Sequence, residues 1–330
     1  MNWDLILRTG GQGLIRSEAC YFALAAIGLN IQFGYTGLLN FGQVVFAAAG
    51  AYGLAVSVTT YGLSFWAGIS IGLFAAIIVA LVLGFPTLRL RADYLAIVTI
   101  AAGEIVRLVV RSVRYTPIFG GTDGLNNFAN SFYDSNPLSS GTYGFWIFEF
   151  NERDTWLLLC GWSLVAICTI ITFLLVRSPW GRVIKAIRED EDAVRSLGKN
   201  TYWYKMQSLI LGAIFGALSG FVFACGQQSI NPDNYSTLFT FTALTALVLG
   251  GRARVLGPIV GAMLFNGFLA FADVFLRQAI GEGYIPDWLI DSNKVGAVRF
   301  MLVGIALMAL MIFRPQGIFG DRREVAISDR

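Results

Sequence analysis

The sequence predicts an all-α polytopic membrane protein, and three observations support that prediction. Apolar residues make up 56% of the 330 residues and charged residues only 14%, whereas soluble domains carry about a quarter of charged residues. The deficit of charge extends over the whole chain. Long apolar runs recur near the length of about 20 residues that a helix needs to cross a bilayer. We expect a single transmembrane domain over residues 1–330, with about nine (eight to ten) spanning helices, some of them broken or re-entrant.

Nine apolar runs are the candidate spans. They lie at residues 18–34, 38–60, 63–85, 93–112, 155–176, 206–226, 238–250, 256–276 and 297–313. The seventh run is short, and "GGRARVLGP" separates it from the eighth. Irregular backbone at membrane depth is tolerated only where protein or water lines it. This pair of runs therefore predicts a broken or re-entrant segment.

The distribution of lysine and arginine predicts the orientation, because cytoplasmic loops are enriched in both. If residues 177–205 are cytoplasmic, the same side holds fifteen of the 24 basic residues, including those near 89–91, 252–254 and in the tail 314–330. We therefore expect the N-terminus and the long 113–154 loop outside and the C-terminal tail in the cytoplasm.

The composition excludes several kinds of site. The chain has no histidine, which removes histidine-based metal sites and catalytic triads. Its four cysteines lie singly in apolar runs, as small buried hydrophobic residues do. A net charge of +3 gives no reason to expect nucleic acid as a partner. The sequence contains no GxxxxGK[ST] phosphate loop, so ATP chemistry must come from another chain if it is used. We expect no catalytic residue, metal or cofactor in this chain.

The densest charge lies in "GRVIKAIREDEDAVRSLGKN", residues 181–200. Loop orientation explains its basic residues but not the acidic run Glu189–Asp192. Gly198 suits the end of a helix, and apolar positions recur before it at helical spacing. These positions are Val183, Ile187, Val194 and Leu197. The segment predicts a short helical hairpin whose charged face docks to a soluble partner, the alternative being a merely solvated face.

Two charged residues fall inside a predicted span. Glu104 lies eleven residues after Asp93, about 16 Å along a helix and so near the bilayer middle. An ionisable group there is costly and predicts a functional site. Arg107, at i+3, is placed to pair with Glu104. The pair either lines a transport path or its gate, or is a structural pair between helices.

A polar cluster surrounds the glycine-rich bend Gly34–Gly37. Its members are Asn30, Gln32, Thr36, Asn40 and Gln43. Such side chains, and exposed backbone at a broken helix, offer donors and acceptors to an amino acid substrate. Interhelical hydrogen bonding is the alternative. We favour that alternative for any single residue and the path for the cluster as a whole.

Three further patterns have mainly structural interpretations. Gly212, Gly216 and Gly220 recur every four residues, which predicts close helix packing. Asp273 and Arg277 are placed as a structural i, i+4 pair. The segment "FGGTDGLNN" in the long loop is either a turn or an external gate.

Six stretches carry a resemblance to a known family. They are "GLNIQFGYTGLLNFGQVVFAAAGAY", "LRLRADYLAIVTIAAGEIVRLVV", "GGTDGL", "SPWGRVIKAIREDEDAVRSLG", "GGRARVLGPIVGA" and "FRPQGIFG". In this order, from about Leu24 to Gly320, they resemble the LivM-type permease of branched-chain and neutral amino acid ABC importers. Asp192-Ala193-Val194 and Gly198 also resemble the Glu-Ala-Ala loop of ABC permeases. Gln43, Ala92 and Ala253 depart from the family, in which His, Gly and Gly are common at these positions, and Gln43 leaves the pore polarity there open.

The resemblance implies a bacterial inner-membrane machine of several chains that works by alternating access. The implied partners are a second related permease, two cytoplasmic ATPases that hold ATP and Mg²⁺, an external binding protein and an amino acid substrate. It assigns ATPase coupling to Arg182, Arg188, Glu189, Asp190, Glu191, Asp192, Ala193 and Gly198. The expected path or gate comprises Asn30, Thr36, Asn40, Gln43, Glu104 and Arg107. A periplasmic gate or binding-protein contact is expected at Gly120, Gly121, Thr122, Asp123 and Gly124.

Other functions remain open at this point. A urea or short-amide ABC permease would share these motifs. A stand-alone secondary transporter or channel would use Glu104 as a proton or ion site, but that leaves the acidic run of residues 189–192 unexplained. An integral-membrane enzyme would need a catalytic constellation, and the sequence shows neither histidine nor paired acids within one span.

Overall fold

The computed structural model describes residues 1–90, 92–282, 284, 295–314 and 316–320. In these residues the helices, in chain order, are α1 (Trp3–Gly13), α2 (Ser17–Leu29), α3 (Gln43–Thr59), α4 (Phe65–Thr87), α5 (Ala92–Arg111), α6 (Thr116–Phe119), α7 (Asn130–Asp134), α8 (Glu152–Arg177), α9 (Pro179–Glu189), α10 (Glu191–Ser196), α11 (Thr201–Gln227), α12 (Thr237–Gly250), α13 (Gly257–Gly281) and α14 (Val295–Phe313). Strand β1 (Leu125–Asn126) pairs antiparallel with β4 (Ser229–Ile230), and β2 (Thr142–Phe145) pairs antiparallel with β3 (Phe148–Asn151).

Each of the nine predicted spans coincides with one of these helices, which confirms the all-α polytopic fold. Among the described residues, five helical segments are long and apolar enough to cross a membrane. They are Trp3–Tyr35, Phe65–Thr87, Glu152–Arg177, Thr201–Gln227 and Gly257–Gly281. Helices α3 and α12 and the first part of α14 are shorter apolar helices. The amphipathic helix α1 was not predicted, and α11 and α13 each extend beyond their predicted runs by about a turn.

The two ends of the helix bundle differ. The end that carries residues 113–151, here the loop face, holds α6, α7 and the β2–β3 hairpin. The N-terminus lies there, because the Met1 amino group pairs with Glu282 and Gln12 Nε2 donates to the Glu149 carbonyl at 3.2 Å. The opposite end carries α9 and α10 and is here the hairpin face.

The last described residues, 316–320, return to the hairpin face, where the Phe319 amide donates to the Gly250 carbonyl at 3.0 Å. The rest of the predicted tail, residues 321–330, lies outside the described residues. Residue 1 and residues 316–320 therefore lie at opposite faces, as the predicted topology requires, and which face is external stays a prediction.

Two four-helix units repeat the same arrangement in opposite directions. The first is α2–α5 and the second is α11–α14. In the first unit α3 packs on α4, and in the second unit α12 packs on α13. The first helix of each unit packs on this pair of the other unit: α11 contacts α3 and α4, and α2 contacts α12 and α13. Helices α2 and α11 contact each other at the centre. Helix α8 lies against α2 and α11, and α1 lies along α13.

Both units are broken after their first helix. In the first unit a π-helical turn, Asn30–Tyr35, ends α2, and residues 36–42 form a non-helical stretch, here the break segment. In the second unit residues 228–236 separate α11 from α12. The first turns of the two short helices meet inside the bundle, where the Val44 amide donates to Thr240 Oγ1 at 2.9 Å. The first break lies at the glycine-rich bend noted in the sequence. The second was not predicted, since the expected interruption at "GGRARVLGP" forms instead the turn between α12 and α13.

The glycine stripe of α11 is a packing surface, as predicted. A Cβ atom at Gly212 would meet Gln32, and one at Gly220 would meet Ala47. At Gly216 it would meet both Gln43 and Phe46. The backbones of α2, α3 and α11 therefore approach each other more closely than any side chain larger than hydrogen would allow.

Candidate functional site

The α9–α10 hairpin has well-defined caps. Ser178 Oγ accepts from the Gly181 amide at 3.4 Å, and Asp190 Oδ1 accepts from the amides of Asp192 and Ala193 at 2.9 and 3.0 Å. Gly198 follows α10 with φ of +75°, a left-handed conformation that favours glycine. The predicted helical hairpin and its glycine end are therefore confirmed as structure.

The apolar side of the hairpin differs at one position from the prediction. Ile187 and Val194 are buried as predicted, Val183 is half-buried, and Ile184 is fully buried with them. Leu197 is 79% exposed, so its predicted place on the apolar face is wrong. The reason is that α10 ends at Ser196. Leu197 would face inward only if the helix continued through it.

The acidic run Glu189–Asp192 divides into inward and outward carboxylates. Glu191 forms an ion pair with Lys205 of α11 and accepts from Thr201 Oγ1 at 3.0 Å. Burial raises the pKa of the Glu191 carboxyl, but the hydrogen bonds and positive charges of its partners, Lys205 above all and then Thr201 and Arg195, together outweigh burial. This pKa therefore lies below its ordinary value. Glu189 and Asp192 point into solvent. Arg182 and Ala193 are exposed as well.

Arg188 joins the hairpin to the broken end of α2. Its Nη1 donates to the Gly34 carbonyl at 2.5 Å. Gly37 has φ of +77°, and a Cβ atom there would lie 3.2 Å from Arg188 Cγ. Lys185 of the same helix lies over the Tyr35 ring at 5.6 Å. The hairpin therefore contacts the π-helical turn and the start of the break segment directly.

Asn30 ties the π-helical turn to the turn between α12 and α13. Its Nδ2 donates to the Arg254 carbonyl at 2.8 Å, and its Oδ1 accepts from the Ala253 amide at 2.9 Å. Ala253 has φ of +55°, in the left-handed region that favours glycine. The Asn30 hydrogen bond therefore supports a backbone conformation that alanine rarely adopts.

The other polar residues near the break also bond across elements. Thr36 Oγ1 bonds Ser208 Oγ at 2.7 Å and donates to the Ile31 carbonyl at 2.8 Å. Asn40 Nδ2 donates to Gln32 Oε1 at 2.8 Å. Gln43 Nε2 donates to the Gly212 carbonyl at 2.9 Å, while Gln43 Oε1 is buried without a partner in the described part of the chain.

In this conformation each member of the polar cluster is buried. Their bonds are those of interhelical contacts, and a role in a transport path stays a prediction. Asn40 also lines an apolar groove of about 270 Å³, between the break segment and α12. Phe41 and Phe241 form walls of this groove.

Glu104 and Arg107 form the predicted pair. Arg107 Nη2 lies 2.5 Å from Glu104 Oε1, and Arg107 Nη1 lies 2.7 Å from Asp233 Oδ1. Arg111 contacts the same Asp233 oxygen at 3.2 Å. Asp233 belongs to a 3₁₀ turn, Pro232–Tyr235, in the break of the second unit. The group therefore links α5 of one unit to the break of the other.

A variant of Glu104 separates its two interpretations. The Glu104 side chain is 43% exposed, and Arg107 would keep Asp233 after Glu104→Gln. We therefore expect Glu104→Gln to lower uptake severalfold with little change in melting temperature. In contrast, Asp273 pairs with Arg277 at 2.9 Å and with Arg299 of α14 at 3.3 Å. Asp273→Asn should therefore lower the melting temperature more than it lowers uptake. Uptake rates in vesicles and thermal unfolding in detergent measure both effects. Unchanged uptake in Glu104→Gln would make the pair structural.

The glycine-rich loop covers the loop face. Gly120, Gly121 and Gly124 all have positive φ, and a Cβ atom at Gly124 would overlap the Ile230 carbonyl. Asn231 Nδ2 donates to the Thr122 carbonyl at 3.1 Å. The loop thus leads into the β1–β4 pair over the break between α11 and α12. Asp123 is exposed beside it.

Sequence reasoning missed Asp233, Ser208 and Lys205. Each is a polar residue far along the chain from its partner: Asp233 binds Arg107, Ser208 binds Thr36 and Lys205 binds Glu191. Asp233 lies in "NPDNY", which reads as an ordinary turn. No local pattern in the sequence marks these three contacts.

Comparison with known proteins gives a consistent result. Residues 15–303 match the family described as "Branched-chain amino acid transport system / permease component". The chain is 30% identical over 326 residues to the high-affinity branched-chain amino acid transport system permease proteins LivM of Salmonella typhimurium and Escherichia coli K12, covering 96% of this chain and 71% of each relative. It is 25% identical over 340 residues to the probable LivM permease of Methanocaldococcus jannaschii, covering 91% of both chains.

Proposed function

Because the chain belongs to the family of branched-chain amino acid transport system permease components, we propose that it is the membrane-spanning permease subunit of an ATP-driven ABC importer. It moves hydrophobic or neutral amino acids of the branched-chain type into the cell. The names of the relatives support the substrate class, and the apolar helix bundle supports a multi-pass position in the bacterial inner membrane. The loop face is external and the hairpin face is cytoplasmic in this proposal.

The observation that carries the proposal is the α9–α10 hairpin. It presents the exposed carboxylates of Glu189 and Asp192 to solvent, while Arg188 and Glu191 fasten it to the bundle. A charged surface at one end of the molecule suits a soluble partner. We assign it to docking of one of two cytoplasmic ATPase subunits, which hold ATP and Mg²⁺, since this chain has no phosphate loop.

The remaining partners follow from the same proposal. A second related permease completes the membrane part, and an external binding protein delivers the amino acid at the loop face. The polar cluster near the break, with Glu104 and Arg107, lines or gates the path. The break segment places irregular backbone and buried polar side chains inside the bundle, and secondary transporters bind their cargo at broken helices of this kind.

Transport requires that motion of the ATPases reach the break segment, and Arg188 is placed to transmit it. A hydrogen bond from a charged donor contributes about 1.5–3 kcal/mol, so we expect Arg188→Gln to reduce uptake roughly tenfold or more. ATP hydrolysis by the assembled complex should persist, because the outward carboxylates are unchanged. Uptake and hydrolysis are measured together in proteoliposomes.

Lys199→Gln is the control, since Lys199 is an exposed basic residue of the same 181–200 segment to which no coupling role is assigned. Normal uptake in Arg188→Gln, equal to that in Lys199→Gln, would show that the Gly34 contact transmits nothing. A parallel loss of hydrolysis and uptake in Arg188→Gln would place its role in docking instead.

The experiment that tests the function is purification of the tagged chain from its host in mild detergent, with identification of every co-purifying polypeptide. Two ATPases with phosphate loops and a second permease are expected. The purified complex is then reconstituted with radiolabelled leucine, urea and acetamide, with and without ATP. Uptake of urea or acetamide in preference to leucine would show that the substrate is urea or a short amide and not an amino acid of the branched-chain type. Transport by the chain alone without ATP would favour a secondary transporter that uses Glu104.

A further inference from the structure

A cavity of about 720 Å³ opens at the hairpin face between α8, α9 and the turn that joins α12 to α13. Three basic side chains from these three elements line it: Arg177, Lys185 and Arg254. None of the described residues that line it is acidic. The cavity is separate from the polar cluster and from the outward carboxylates of the hairpin.

Positive charge is left uncompensated at its rim. The Arg177 guanidinium lies over the Phe173 ring at 4.0 Å, and Lys185 Nζ lies over the Tyr35 ring at 5.6 Å. Neither cation forms an ion pair in the described part of the chain. Aromatic faces hold these side chains in place without cancelling their charge. The rim therefore attracts an anion.

The wall of the cavity is apolar and runs into the bundle along α8. The lining residues of this helix extend from Thr169 to Arg177, about 12 Å along its axis. Ile170 is 58% exposed, and Leu256 on the opposite wall is 59% exposed. A slot with a basic rim and an apolar wall matches a molecule that has an anionic head and a hydrocarbon chain.

From this arrangement we infer that the cavity binds an anionic phospholipid. The phosphate lies between Arg177 and Lys185, and an acyl chain lies along Ile170 and Phe173. Basic pockets between helices at the membrane surface bind such head groups. A free phosphate ion would use the rim but gain nothing from the wall. A protein segment of an ATPase would meet the exposed carboxylates of α10 more readily than this slot.

Native mass spectrometry of the chain, purified with its partners in mild detergent, tests the inference. Dioleoyl phosphatidylglycerol and dioleoyl phosphatidylcholine are added at equal concentration. The chain is expected to retain phosphatidylglycerol in preference to phosphatidylcholine. Each basic residue near the surface of an anionic membrane contributes about 1 kcal/mol, so Arg177→Gln with Lys185→Gln should weaken retention roughly tenfold or more.

Two further variants keep the result interpretable. Lys199→Gln removes an exposed lysine of the same segment that does not line the cavity and should retain phosphatidylglycerol normally. Ile170→Trp fills the apolar wall, leaves both cations and should also reduce retention.

Equal retention of the two lipids, or unchanged retention in the double variant, would overturn the inference. Displacement of the lipid by millimolar inorganic phosphate would show that only the basic rim binds, so that the site recognises a phosphate ion and not a lipid. Loss of the ATPases with the lipid retained would make the slot a docking surface.

Discussion

Replacing Glu189 and Asp192 together by lysine is expected to abolish uptake while the chain stays folded in the membrane. Both side chains point into solvent, and the Asp192 side chain is 91% exposed with one contact, to Arg195 at 3.5 Å. Exposed pairs of this kind contribute about 0–1 kcal/mol to stability, so the fold should be unaffected. Like charges opposed across an interface, in contrast, cost several kcal/mol, which would prevent docking of an ATPase with a basic surface.

The measurement combines membrane yield, co-purification of the ATPases and ATP-dependent uptake. The control reverses two exposed carboxylates of the loop face, Asp134→Lys with Glu149→Lys, where Glu149 has only a 4.0 Å contact with Arg8. The control should keep its ATPases. Normal uptake in the hairpin variant would disprove docking through this surface. Loss of membrane yield would show that the acidic run serves the fold.

Gly220→Ala is expected to destabilise the bundle centre strongly. The new Cβ atom would overlap the carbonyl oxygen of Ala47, a backbone atom of α3 that cannot turn aside. Overpacking of a close-packed interior costs about 1–3 kcal/mol and sometimes more, so we expect about 3 kcal/mol of lost unfolding free energy. Titration with denaturing detergent, followed by circular dichroism, measures the loss.

Gly304→Ala in α14 is the matched control. Among the described residues, no atom outside the adjoining turns of α14 lies within 4 Å of the Cβ position at Gly304. Alanine is a better helix former than glycine by roughly 0.5–1 kcal/mol, so this variant should be neutral or slightly more stable. Equal stability of the two variants would mean that α3 and α11 separate easily at Ala47, against the close packing described.

The positions of the spans were predictable because a bilayer demands a long apolar run and little else. The residue at which α3 begins was not predictable from hydropathy. The break segment before it contains the apolar sequence "GLLNFG", which hydropathy does not distinguish from a helix. Helix α1 was missed for the opposite reason. Its Asp4, Arg8 and adjacent glycines break the apolar run, although its inner side packs on α13.

The candidate site was predictable only where partners lie near in sequence. The Glu104–Arg107 pair follows from i, i+3 spacing. Asp233, which completes that group, is 126 residues away from Arg107. Likewise, the helical spacing of the hairpin identified Ile187 and Val194 but not the Arg188 contact with Gly34, since a backbone carbonyl left free by a broken helix carries no mark in the sequence.

The opposed four-helix units have a consequence for the energy difference between conformations. Units that pack with corresponding partners in opposite directions have the pattern of inverted-topology repeats, and in transporters built that way one repeat moves against the other. A molecule in which the two units exchanged shapes would keep the same kinds of helix contacts, with the loop face and the hairpin face interchanged. Two such states are expected to differ little in free energy. A bias of about 5.5 kcal/mol is enough to invert their populations from 1:99 to 99:1. We therefore expect partner subunits to choose between two resting shapes that the chain already contains.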